Sequence, residues 1–390
     1  MGRVKLIAIL EFLVFLFLFL NTFVIDINIF GQPLRYYICI LVFVLSIIIK
    51  QTINRHIVFF MLTVFTIAIL LLFYSVVMIG NEISNAMWFI KPYLILLIIP
   101  GLNILFNEYG IRKYIRVFNF SVLLLCLYFC FIIVLYHIYN TMAVAIDNRH
   151  DLLQINIVNN NPRIIIKTFV FILPLFYYIL LYNKNNFIKI ISAILVLYLI
   201  ILSQTYGLII GMIISLLIYF LIRRKYLHFI FCTIILLTMF ILLWKYHGLY
   251  LNKFKMHSIM VKIQQFQSIF KDMSLSNIIL GKGVGAVMQN MDLRGLKEDF
   301  VIEVAPVLLF RVGGIIFSAM IIYVYFYHAL YGLWICLNDY KNDVFYFVIS
   351  QFAIVFSSFA NPYIWSGGIG LLMITFLAAY VPLIKVHYEG

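Results

Sequence analysis

Long apolar stretches, separated by mostly short polar segments, recur along almost the whole 390-residue chain. A stretch of about 17–25 mainly apolar residues is long enough to cross a bilayer as a helix. The pattern predicts twelve such helices, which cover about residues 6–25, 34–49, 57–79, 88–106, 114–137, 164–182, 187–203, 206–222, 227–244, 304–330, 344–360 and 367–385. We therefore predict an all-α polytopic membrane protein, folded as a single membrane domain over residues 1–390.

Short connections with lysine or arginine alternate along the chain with short connections that have neither. The basic residues occur in every second connection, at Arg3, Lys5, Lys50, Arg55, Arg112, Lys113, Arg116, Lys184, Lys189, Arg223, Arg224 and Lys225. The intervening short loops, 26–33, 80–87 and 204–206, contain none. Because cytoplasmic loops carry the excess of basic residues, both termini are predicted to be cytoplasmic. Two large loops, about 138–163 and 245–303, are then periplasmic or extracellular.

The composition supports this class and narrows the chemistry. Hydrophobic residues make up 65% of the chain and charged residues only 11%, whereas a soluble chain would have about a quarter charged. The net charge of +14 does not predict nucleic-acid binding, since the basic residues are divided among membrane-flanking loops. The five cysteines lie inside apolar runs, which is typical of packing residues. No nucleotide-binding or metallohydrolase motif is present in the sequence, and we predict no cofactor and no metal.

The longest polar interval runs from Trp244 to Arg311 and contains a glycine-rich segment around Lys282, Gly281-Lys-Gly-Val-Gly285. Such a segment is either a tight turn or a backbone nest that holds a phosphate. The interval also contains Arg294, which we include among the candidate substrate-binding residues.

Glu303 and Arg311 frame the start of the tenth predicted helix. Glu303 either caps this helix or acts as a general base at the membrane–water boundary. Arg311 follows eight residues later, about 12 Å deeper at 1.5 Å per residue. An arginine at that depth either forms an internal ion pair or binds an anion such as a diphosphate.

A second basic group precedes the sixth predicted helix. Asn161 suits an N-cap and Pro162 the first helical position, which would place Arg163 and Lys167 on one face. These two cations either extend to lipid headgroups or form an anion site. Upstream, Arg149 is a further candidate contact for the same anion.

Two other polar features have alternative interpretations. The last outward turn, Ser357 to Gly368, contains Asn361, which either serves turn packing or contacts substrate. Glu11, inside the first predicted helix, is either a proton relay or a buried, hydrogen-bonded acid.

Four features together resemble the Wzy-type O-antigen and capsular polysaccharide polymerases. They are the twelve spans with two large outward loops, the Asn-Asn-Pro-Arg163 segment, the Asn277–Gly285 stretch followed by Glu303-Val-Ala-Pro-Val-Leu-Leu-Phe-Arg-Val-Gly-Gly314, and the Ser-Ser-Phe-Ala-Asn-Pro-Tyr363 turn. The related O-antigen ligases carry a histidine where this chain has Glu303, and this difference favours a polymerase.

The resemblance implies a metal-independent glycosyltransferase of the cytoplasmic (inner) membrane, with its active site facing outward. Its donor and acceptor would be oligosaccharide repeat units linked to undecaprenyl pyrophosphate, and a partner protein would control chain length. The outward arginines would bind the pyrophosphate, a role that we transfer to Arg149, Arg163 and Arg311 and extend to Lys167 and Lys282.

Two alternative functions stay open from the sequence. The first is a ligase that transfers finished glycan to another acceptor. The second is a polysaccharide flippase or secondary transporter, although transporters usually show paired halves and broken helices near the midplane.

Overall fold

The computed structural model describes residues 2–23, 28–29, 32–50, 53–139, 153–158, 161–203, 206–227, 273–287, 305–358 and 369–389, with a few isolated positions between 230 and 269. At residues 132–139, 153–158, 161–168, 201–203, 206, 369 and 385–389 the description covers the backbone alone.

The first part of the chain is helical apart from one short hairpin. Its helices are α1 (Gly2–Phe23), α2 (Leu34–Ile49), α3 (Arg55–Phe73), α4 (Ile83–Ile90), α5 (Ile99–Tyr109) and α6 (Ile111–Tyr139). A π-helical segment, Tyr74–Met78, continues α3, and a 3-10 segment, Lys91–Ile98, joins α4 to α5. Strands β1 (Asn28–Ile29) and β2 (Gln32–Pro33) pair antiparallel between α1 and α2.

The second part begins with another hairpin, made of β3 (Leu153–Val158) and β4 (Asn161–Ile166). A 3-10 segment, Lys167–Phe171, then leads into the remaining helices. They are α7 (Ile172–Tyr182), α8 (Asn186–Ser203), α9 (Tyr206–Ile222), α10 (Leu275–Leu280), α11 (Ala305–Asn338), α12 (Asn342–Ser357) and α13 (Ile369–Glu389).

Apolar helices of membrane-spanning character dominate the described residues. Five segments are long and apolar enough to cross a membrane: Gly2–Phe23, Arg55–Met78, Ile83–Tyr109, Ile111–Phe131 and Ala305–Asn338. Six shorter apolar helices accompany them, namely Leu34–Ile49, Phe169–Tyr182, Asn186–Ile200, Gly207–Ile222, Asn342–Ser357 and Gly370–Ile384. The helical, membrane-embedded class predicted from the sequence is confirmed. The twelve-span count and the orientation stay predictions, and the ninth predicted helix, 227–244, lies largely outside the described residues.

The predicted start of the sixth helix is wrong. Residues 161–166 form β4, which pairs with β3 in a register that runs from Leu153–Ile166 to Val158–Asn161. Asn161 and Pro162 therefore begin a strand and do not cap a helix. The isoleucines on both sides of the hairpin explain this result, because β-branched residues favour strands. The all-α description thus holds for the apolar helices but not for the two short hairpins.

Helix α12 lies at the centre of the packed helices. Every residue from Val344 to Val355 is buried, and the side chains of this run are apolar almost all round. A helix that is apolar on every face is surrounded by protein. Its Phe347 ring stacks on Phe376 of α13 with ring centroids 4.9 Å apart. On α9, Gly211 lies directly against the backbone of Ala353, so these two helices approach closely.

Contacts join segments that the sequence places on the same side of the membrane. At the predicted cytoplasmic end, Arg3 forms an ion pair of 3.2 Å with Glu108. At the predicted outer end, the backbone N–H of Ala305 donates to the carbonyl oxygen of Ser358 at 3.3 Å. These contacts join helix ends that lie together in the bundle, whichever side of the membrane they face.

Candidate functional site

The glycine-rich segment, residues 281–287, is a turn that packs against the first part of α11. The N–H of Lys282 donates to the carbonyl oxygen of Arg311 at 2.8 Å, and the N–H of Gly283 donates to that of Val312 at 3.0 Å. The N–H of Gly281 donates to Asn277 at 2.8 Å. Because these amides are already hydrogen-bonded to protein acceptors, they are not a nest for phosphate. The tight-turn interpretation describes this segment.

Helix α11 is broken where the turn meets it. Gly314 has φ 55° and ψ −151°, which divides the helix nine residues after its start at Ala305. A Cβ at Gly314 would lie 2.5 Å from the backbone nitrogen of Gly281, so no larger residue fits there. The break releases the carbonyls of Arg311 and Val312 from helical hydrogen bonds, and the turn supplies their donors.

Arg311 ties the end of the turn to α11. Its side chain is buried, with 4% of its surface exposed. Nη1 donates to the carbonyl oxygen of Ala286 at 2.7 Å, and Nη2 donates to that of Val287 at 3.0 Å. A guanidinium can form such a pair of bonds because its N–H groups project in a fixed fork. Both terminal nitrogens of this guanidinium therefore bind backbone carbonyls of the turn.

Three side chains near the end of α3 hold the other face of the turn. Tyr74 Oη donates to the carbonyl oxygen of Gly281 at 2.9 Å. Ser75 Oγ accepts from the N–H of Val284 at 2.8 Å. Asn81 Nδ2 donates to the carbonyls of Lys282 and Val284 at 3.0 and 3.1 Å. Four N–H groups and five carbonyl oxygens of residues 281–287 are thus hydrogen-bonded within the protein.

These anchoring residues were not predicted from the sequence. Tyr74 and Ser75 end an apolar run, and Asn81 lies in a short polar loop, so none of them stands out locally. Their partners are about 200 positions further along the chain. The only local signal is the polar Asn81 in the loop predicted to face outward, on the same side as the glycine turn.

The structure brings together two of the candidate site residues, Lys282 and Arg311, through the hydrogen bond between their backbones. Arg163 lies on β4 and Lys167 begins the following 3-10 segment, and only the backbone of each is described. Four other candidates lie outside the described residues: Arg149, Arg294, Glu303 and Asn361.

The chemistry that the described geometry supports is electrostatic. A permanently charged guanidinium is held inside the broken start of α11, and the half-buried Lys282 is placed on the adjoining turn. A buried charge fixed in this way can stabilise negative charge that develops nearby, without reorganising during the reaction. Within the described ranges, no group of three or more His, Cys, Asp or Glu side chains could hold a metal ion.

No family model matches the chain, and comparisons with curated proteins and with solved structures found no similar protein.

Proposed function

We propose that this protein is a membrane-embedded glycosyltransferase that polymerises lipid-linked oligosaccharide repeat units. The growing glycan on undecaprenyl pyrophosphate would be the donor, and an incoming lipid-linked repeat unit the acceptor. The reaction would take place at the outer face of the cytoplasmic membrane. Membrane lipid surrounds the protein in this proposal, and a separate protein controls chain length.

The observation that carries this proposal is the buried Arg311 at the break in α11. An intramembrane charge is expensive, and its presence within a spanning helix points to function by default. The protein fixes this guanidinium through Ala286 and Val287 instead of leaving it mobile. Broken helix and irregular backbone at membrane depth are tolerated where they are buried in protein or line a cavity. A pyrophosphate leaving group is the kind of ligand that such a fixed charge would stabilise.

The proposed reaction forms one glycosidic bond and breaks one bond to pyrophosphate. The terminal hydroxyl of the acceptor attacks the anomeric carbon of the donor glycan, and Glu303 takes the hydroxyl proton. The electron pair of the broken bond leaves with undecaprenyl pyrophosphate. Arg311 stabilises the charge that develops there, with Arg163, Lys167 and Lys282 as additional cations and Arg149, Arg294 and Asn361 as substrate contacts.

The test uses purified protein, a pyrophosphate-linked repeat unit and separation of the products by size. We expect the wild type to build a ladder of chain lengths. Glu303→Gln and Arg311→Ala should each lower the rate by about 10²-fold or more, as loss of a general base or of a charge-stabilising donor does.

Matched controls separate chemistry from folding. Glu82→Gln removes an exposed acid from a loop predicted to face the same side, and Arg55→Ala removes an exposed arginine at the start of α3. Both controls should keep wild-type ladders. If Glu303→Gln and Arg311→Ala elute as folded protein and also polymerise normally, the site assignment is wrong.

The two alternatives give different products in the same experiment. A ligase would yield a single transfer product without a ladder. The break at Gly314 is the observation that favours a transporter, since transporter sites are often built from broken helices. It lies nine residues after the start of the 34-residue α11, within the first third of the helix. Lipid flipping by the purified protein without glycan extension would replace the polymerase proposal.

A further inference from the structure

A second polar site lies at the opposite end of the helices from the glycine turn. It is a cavity of about 520 Å³, within the roughly 300–1,000 Å³ range of small-molecule sites. Its walls are formed by Arg112, Arg223, Tyr340, Lys341, Asn342, Asp343 and Tyr380. Three cations and one carboxylate therefore line a space that the proposed outward-facing reaction does not use.

The carboxylate of this cavity already has partners. Arg112 Nε lies 3.3 Å from Asp343 Oδ2, and Tyr182 Oη donates to Asp343 Oδ1 at 2.5 Å. Lys341 also has an acid beside it, since its Nζ lies 3.6 Å from Asp339. The fixed negative charge near the cavity is thus already matched by Arg112 and Lys341.

Arg223 is the third cation of the cavity lining, and no acid matches its charge among the described residues. Its Nη2 donates to the amide oxygen of Asn342 at 3.3 Å, and it forms no ion pair with any carboxylate in the described part of the chain. Its guanidinium carbon lies 4.0 Å from the centre of the Tyr340 ring. The Nε of Arg223 and the Oη of Tyr340 are both buried, and neither has a hydrogen-bond partner among the described residues.

A buried donor without a partner destabilises the protein unless a ligand supplies a hydrogen-bond acceptor for it. Burial also raises the pKa of the Tyr340 phenol, so that group stays protonated and able to donate at neutral pH. The unmatched charge of Arg223 and these two donors favour the same kind of ligand, an anion with several acceptor oxygens. A phosphate group meets both requirements.

The location favours a phosphate that belongs to a lipid. Arg112 and Arg223 are in the basic connections that the sequence predicts to be cytoplasmic, and the cavity opens where α6, α9, α12 and α13 meet. Basic pockets between membrane helices on the cytoplasmic side bind anionic headgroups. Simple extension of arginine to the membrane surface would leave Arg223 solvated and would not require a buried Nε.

We propose that this cavity binds the phosphate-bearing headgroup of an anionic phospholipid from the cytoplasmic leaflet, with Arg223 and Tyr340 as its principal contacts. The ligand chemistry is that of a phosphate monoanion or diester, which a free phosphate shares. The site is separate from the proposed polymerase centre and does not depend on it.

The test measures binding of phosphatidylglycerol to the full-length protein in detergent by native mass spectrometry, with phosphatidylcholine and inorganic phosphate as parallel probes. We expect phosphatidylglycerol to remain bound and phosphatidylcholine to dissociate. Arg223→Gln should weaken phosphatidylglycerol binding about tenfold, the loss expected for one charge-assisted contact. Tyr340→Phe, which removes only the phenol hydroxyl, should weaken it by a few fold.

Arg224→Gln is the matched control, because Arg224 is the next residue, carries the same charge and is exposed outside the cavity. It should bind phosphatidylglycerol as the wild type does. Equal weakening by Arg223→Gln and Arg224→Gln would reduce the effect to general surface charge and overturn the proposal. Equal retention of phosphatidylglycerol and phosphatidylcholine would also overturn it. Tight binding of inorganic phosphate without lipid would show that the ligand is a soluble anion and not a lipid.

Discussion

Arg311 and Ala286 are joined by a hydrogen bond of 2.7 Å, from Nη1 to the carbonyl oxygen, although α11 and the glycine turn are separate segments. Arg311→Lys keeps the positive charge but cannot supply two donors in a fixed fork. We expect it to lower the free energy of unfolding by about 1–3 kcal/mol, because a buried carbonyl is left without a donor. Unfolding in a detergent titration measures this loss. An unchanged unfolding transition would show that the hydrogen bonds of Arg311 to the turn contribute nothing to stability.

The close packing of the glycine turn gives a second prediction. A Cβ at Gly283 would lie 2.8 Å from both Asn81 Nδ2 and Ser75 Oγ. Gly283 and Gly80 have similar backbone angles, with φ of 78° and 84°, but Gly80 has no atom within 4 Å of an added Cβ. Gly80→Ala should therefore cost only about 1–2 kcal/mol of backbone strain, whereas Gly283→Ala should add a steric clash and destabilise more.

The comparison of these two variants by thermal unfolding isolates the packing contribution from the strain that both share. Equal losses of stability would mean that the turn shifts away from α3 at little cost. In that case the contacts of Ser75 and Asn81 would not hold the site.

Metal independence of the proposed polymerase is a third prediction. If the cations of the chain stabilise the leaving pyrophosphate, ladder synthesis should continue at an unchanged rate after treatment with EDTA. The rate is measured by product size before treatment, after treatment and after magnesium is added back. Activity that is lost with EDTA and restored by magnesium would assign this role to a metal ion.

Glu11 in α1 gives a fourth prediction. Its Oε1 lies 2.5 Å from Lys113 Nζ and accepts from Tyr114 Oη at 3.1 Å. The hydrogen-bonded interpretation of this acid fits these contacts better than a proton relay. Glu11→Gln should keep the acceptor, lower stability by no more than about 1 kcal/mol and leave polymerisation unchanged.

Lys113→Met is compared with Glu11→Gln. It removes the cation and keeps the carboxylate, so it separates the ion pair with Lys113 from the hydrogen bond with Tyr114. A folded Glu11→Gln protein that had lost proton-dependent substrate movement would instead support a relay and, with it, the transporter alternative.

Local patterns predicted the helices well because each spanning helix is a continuous apolar run. The prediction for residues 34–49 coincides with α2, Leu34–Ile49. The hairpin of β3 and β4 was missed because its isoleucines were assigned to the start of a helix, although two asparagines between two β-branched runs are a hairpin signal. The break in α11 also has a signal in the pair Gly313–Gly314, although the apolar run from 304 to 330 predicts one continuous helix.

The site itself could be predicted only in part. The depth of Arg311 in an apolar helix marked it as unusual, and the glycines marked the turn. The contact between Arg311 and the turn, and the contacts of the turn with Tyr74, Ser75 and Asn81, depend on packing between distant segments, which periodicity does not report. The cavity around Arg223 was missed for the same reason, since its charges are divided among several connections that each resemble an ordinary cytoplasmic loop.

The bonds between the end of α3 and the glycine turn have a consequence for the order of assembly during synthesis. Ser75 and Asn81 emerge about 200 residues before the backbone groups that they bind. At about 5–20 residues per second, this delay lasts roughly 10–40 s. During that time, the end of α3 is present in the membrane without its final partners. The end of the bundle that holds the glycine turn therefore closes late, after most of the helices have been inserted.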